Sequence, residues 1–71
     1  MLVEKFVVIE RFSFSGETES SSPMPYLRAR RAVQLLNQGM RPFQDATDDR
    51  FVDAALNTVS EGGYVRLRWP K

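Results

Sequence analysis

LVEKFVVIERFSF, residues 2–14, is the stretch whose reading decides the fold. It is rich in Val, Ile and Phe and has no Gly or Pro, which predicts one long strand or two short ones meeting at a bulge. Period-two alternation puts Leu2, Phe6, Val8, Phe12 and Phe14 on one face, yet Val7 and Ile9 place an apolar pair on the other. The middle of such a strand is expected to be covered on both sides.

Beyond it, SGETESSSPMP (residues 15–25) combines turn formers, acidic residues and three consecutive serines. That composition predicts a mobile surface loop with no core of its own. Pro25 suits a first helical turn, and Tyr26, Ala29, Val33, Leu36 and Met40 then recur at spacings of three and four, one apolar stripe along a helix. Gly39 and Pro42 mark its end. Thr47 or Asp48 is expected to cap a second helix, with Phe51, Val52, Ala55, Leu56 and Val59 on its buried face. Gly62 and Gly63 close that helix, and Tyr64 to Trp69 alternate as a last strand, with Val65, Leu67 and Trp69 on one face and Tyr64, Arg66 and Arg68 on the other. The order strand, helix, helix, strand predicts an α+β fold. In this small β-α-α-β domain spanning residues 1–71, two helices pack on one face of an antiparallel sheet made by the terminal strands.

A chain of 71 residues has room for one core and no second domain. Such a core rarely supplies more than about 3 to 5 kcal/mol, so domains of this size commonly add disulfides, a metal or a partner subunit. With neither Cys nor His present, a disulfide and a tetrahedral zinc site are both excluded. Oligomerisation is the remaining route to extra burial. The net charge of +1 exerts no global pull toward nucleic acid or membrane. Charged residues interleave with apolar ones from the start, the pattern of neither a signal peptide nor a membrane span, and a cytoplasmic setting is the default expectation.

Catalysis near neutral pH usually recruits His, or an activated Ser, Cys or Lys with a base beside it. No nucleophile motif or phosphate-binding glycine loop occurs, so the expectation is a non-enzymatic protein without a cofactor. Asp45, Asp48, Asp49 and Asp53 form an acidic cluster, but capping of the second helix accounts for Asp48 and Asp49, and the spacing is not that of an EF-hand.

Two basic groups stand out. Arg28 and Arg31 bracket Leu35 on the helix face opposite the apolar stripe, with Arg30 toward the stripe's edge. Arg66 and Arg68 share a strand face with Tyr64 and sit within pairing reach of Glu4 and Glu10 on the first strand. Together these five arginines define an alternative function, a nucleic-acid-binding module.

The apolar surplus carries the preferred reading. Val7 and Ile9 on one face, Phe6, Val8, Phe12 and Phe14 on the other, and Leu35 between arginines exceed what two helices over one sheet face cover. A two-stranded sheet is also marginal alone, so pairing of the first strand with its copy in a homodimer would remove an exposed edge. An N-terminal hairpin within one chain is the competing arrangement, disfavoured because the segment lacks the Gly or Asn of a tight turn. The expected function is regulation or inhibition of a protein partner through Val7, Ile9, Phe12, Phe14 and Leu35. Many phage-borne regulators act in this way, and the parallel is one of analogy.

Overall fold

The computed structural model describes residues 5–44 and 46–69. Leu2, Glu4 and Asp45 lie outside them. The elements run β1 (Phe6–Phe12), β2 (Thr18–Ser20), β3 (Met24–Pro25), α1 (Tyr26–Asn37), α2 (Asp49–Ser60) and β4 (Tyr64–Arg68). This is an α+β fold with a four-stranded antiparallel sheet and two helices.

β1 lies in the sheet interior. On one edge it pairs with β4, where Glu10 faces Arg66 and Phe12 faces Tyr64. Its other edge takes β2, with Glu10 opposite Ser20, and then β3, with Val7 opposite Met24. The register slips by one residue between β2 and β3, and Ser21 sits at the slip, donating its backbone N–H to the Ile9 carbonyl at 2.8 Å. The Ser21 hydroxyl in turn accepts the Ile9 N–H at 2.9 Å, replacing a ladder bond that the bulge would otherwise break.

Two expectations change here. Residues 15–25 are not a coreless loop: they supply both short edge strands, and Met24 is buried among core residues. The hairpin disfavoured from sequence does form, but its turn lies at residues 13–17. The Ser13 hydroxyl accepts the Glu17 N–H at 2.9 Å, and Gly16 takes φ +94°. Because both edges of β1 are occupied, it cannot also pair with its copy in a second subunit.

The core lies between the sheet and the helices. Val7 and Ile9 of β1 and Val65 of β4 meet Ala29, Ala32 and Leu36 of α1 and Val52 and Ala55 of α2. The alanines permit close approach of helix to sheet, and Leu36 is the largest fully buried side chain that α1 supplies. The stripe of α1 is therefore centred on Ala29, Ala32 and Leu36 and stops short of Met40, which is exposed beyond the helix end. The chain leaves α1 through Gly39 at φ +78°, where the Gly39 N–H reaches the Leu36 carbonyl and the Met40 N–H the Leu35 carbonyl. That 5→2 and 6→1 pair is the Schellman geometry. Thr58 repeats it for α2, taking the Gly63 N–H at 2.9 Å.

Asp48 occupies the N-cap position of α2, but its side chain makes no capping bond. Its carboxylate accepts from Arg28 Nη2 at 3.1 Å instead, tying the start of α2 to α1. Asp49 and Asp53 pair with Arg41 in the connecting segment.

Candidate functional site

With both helices on one side, the opposite face of the sheet has no covering layer among the described residues. Alternation along the strands assigns its side chains: Phe6, Val8, Glu10 and Phe12 from β1, and Tyr64, Arg66 and Arg68 from β4. Phe6 and Tyr64 are about half exposed.

The groups on this face are mutually arranged. Tyr64, directly across from Phe12, stacks on it with centroids 5.1 Å apart and planes 17° from parallel. The Arg66 guanidinium lies over the same Phe12 ring at 4.6 Å. Glu10 lies beneath the arginines with its side chain only 8% exposed; its Oε2 accepts from Arg68 Nη1 at 2.7 Å, while Arg66 Nη2 stands 3.5 Å from Oε1. Desolvating a carboxylate this far is tolerated because two guanidiniums oppose its charge. The cations themselves remain open, Arg66 at 61% and Arg68 at 53% exposure. The face therefore offers apolar rings and two guanidiniums held in place, with its anion sunk below them.

The five apolar residues singled out from sequence do not share one surface. Val7 and Ile9, at 0% and 1% exposure, are closed inside the chain's own core and are unavailable to a partner. This removes the reading in which they cover a second molecule: the helices already cover them. Phe12 lies on the open face, Phe14 stands 85% exposed at the hairpin turn, and Leu35 is half-buried on α1. Phe6 and Tyr64, omitted from that set, are the residues that complete the face. Strand parity already placed Phe6 on the face of Phe12, and Tyr64 on the face of Arg66.

The five arginines are likewise divided. Arg66 and Arg68 are on the open face, whereas Arg28, Arg30 and Arg31 belong to α1 in the layer beyond the sheet. Arg28 is engaged by Asp48 and lies over the Phe43 ring at 4.1 Å. Arg30 and Arg31 are exposed. No single basic surface joins the two groups.

A concavity of about 300 Å³ opens beside the β2–β3 bulge and is lined by Arg11, Ser20, Ser22, Thr47, Asp48 and Arg50 among others. Its charged walls are largely paired with each other and with neighbours: Arg11 bonds Glu19 at 2.9 Å and the Thr58 hydroxyl at 3.1 Å, and Asp48 bonds Arg28. The Ser21 hydroxyl behind it serves the backbone, accepting from Ile9 and donating to the Ser22 carbonyl. No described serine is placed beside a base that would activate it. No group of acidic side chains suited to a metal ion occurs among the described residues, and none of their helices is long and apolar enough to cross a membrane.

Compared with models of known protein families, with curated proteins and with solved structures, the chain matches none of them.

Proposed function

We propose that this chain is a non-enzymatic binding protein that regulates or inhibits a protein partner by laying the uncovered sheet face against it. The observation that carries the reading is the Phe6–Val8–Phe12–Tyr64 surface crossed by Arg66 and Arg68, with both helices on the other side of the sheet. Aromatic and Arg side chains are those enriched where protein interfaces concentrate their binding energy.

The arrangement favours a protein over single-stranded nucleic acid for two reasons. Stacking of successive bases needs rings side by side along one groove, and here Phe12 is already engaged by Tyr64 and by Arg66 while Phe6 stands at the other end of β1. Phosphate binding scales with the number of cations in one patch, and here two strand arginines share a carboxylate while the helix arginines lie beyond the sheet.

The test is affinity capture from the source lysate with three baits: the natural chain, Phe6→Ser/Tyr64→Ser, and Arg30→Ala/Arg31→Ala. A protein retained by the first and third baits and lost from the second is the expected result. Recovery of nucleic acid that depends on Arg30 and Arg31, or a partner indifferent to Phe6 and Tyr64, overturns the proposal.

A further inference from the structure

Resting on that reading of the open face, we infer that its occupant is a carboxylate-bearing apolar segment of another protein, and not a second copy of this chain.

Charge decides between the two. The exposed charges on the described part of this face are Arg66 and Arg68, both positive, whereas Glu10 is shielded beneath them. In a two-fold dimer the same patch meets itself, so each guanidinium pair would approach its own copy with no exposed anion to answer it. Size points the same way. Seven residues of β1 and three strand widths give a face on the order of 300 to 400 Å², against roughly 800 Å² per partner for a stable association. A surface of this extent suits a transient contact with one extended segment.

The two arginines are not equivalent. Arg68 makes the short bond to Glu10, while Arg66 sits 3.5 Å from it and is aligned over Phe12. Arg66 thus has the weaker tie to Glu10 and is the guanidinium whose donor fork can turn to an incoming carboxylate, with Tyr64 beside it and Val8 one pleat further along the face for apolar side chains. An aromatic ring beneath the cation limits its rotamers, so less entropy is lost when the carboxylate arrives.

The experiment is amide NMR of the full chain titrated with three probes: a ten-residue peptide alternating Glu with Val or Phe, the same peptide with Lys in place of Glu, and a ten-nucleotide oligo-dT. The expected result is binding of the acidic peptide, with shifts confined to β1 and β4, at least tenfold tighter than the basic one. Arg66→Ala should weaken it roughly two- to fivefold, with circular dichroism unchanged. Equal binding of both peptides overturns the charge inference and leaves the open face as a docking surface. Concentration-dependent shifts of the same residues without any probe identify a second copy as the occupant and overturn the inference. Tighter binding of oligo-dT on this face, or no binding of either peptide at millimolar concentration, overturns both the inference and the reading beneath it.

Discussion

Glycines 16 and 63 show how one residue type serves two physical ends. Gly16 has open space where a Cβ would stand, but its φ of +94° is costly for any residue with a side chain. Gly63 has an ordinary φ, yet a Cβ there would come within 2.3 Å of the Phe12 carbonyl oxygen and 2.5 Å of the Thr58 methyl. Gly16→Ala is therefore expected to cost about 1 kcal/mol through backbone strain. Gly63→Ala should cost more, about 3 kcal/mol, because β4 must move away from β1 where their pairing begins. Urea denaturation of the two variants checks the ranking, and equal midpoints would contradict it. Glu10 is the other residue with a defined role. Its replacement by Gln keeps the shape but removes the charge that holds two guanidiniums, for an expected loss on the order of 1 kcal/mol that shrinks in high salt.

Among the elements, β4 is the strand whose outer edge most invites a stranger, and α1 guards it with one side chain. Asn37 at the last turn of the helix donates Nδ2 to the Val65 carbonyl and accepts the Val65 N–H through Oδ1, both at 3.0 Å. The amide imitates a neighbouring strand residue. Asn37→Ala should lower stability by about 1 to 3 kcal/mol by leaving both Val65 groups unpaired, and speed hydrogen exchange at the Val65 amide. Unchanged exchange there would show that another group takes over.

The helices and both long strands were legible in the sequence because each carries a period: Ala29 and Leu36 on α1, Val52 and Ala55 on α2, Val65 and Leu67 on β4. β2 and β3 were not, because Thr18–Ser20 is polar and exposed and Met24–Pro25 is two residues long. What holds them is supplied by side chains such as Ser21, whose hydroxyl stands in for a backbone group, and no periodicity records that.

For the molecule as a whole, the two faces of β1 have opposite sensitivities. Ile9→Ala empties a fully buried position and should cost about 2 to 5 kcal/mol, whereas Phe6→Ser on the open face should stay within about 1 kcal/mol of the natural chain. A thermal melt distinguishes them, and a comparable loss from Phe6→Ser would mean that this face is covered after all. The candidate site was half legible for the same reason. Alternation separated Phe6, Val8 and Phe12 from Val7 and Ile9, but it cannot say which set the helices take. That depends on which face of the sheet the two crossing elements reach.

β1, the first of the described strands, is completed by β4, the last of them: Glu10 and Arg68 are 58 residues apart in the chain and 2.7 Å apart in space. Closing a loop of that length costs roughly 3 to 4 kcal/mol of chain entropy before any pairing repays it. On the ribosome, the β1–β2 hairpin and α1 can assemble early, but Val7 and Ile9 wait for Val65 and Leu67 to emerge. Until then the nascent chain carries an unfinished ladder, and the passage from synthesis to the native state is the interval in which it is most exposed to mispairing.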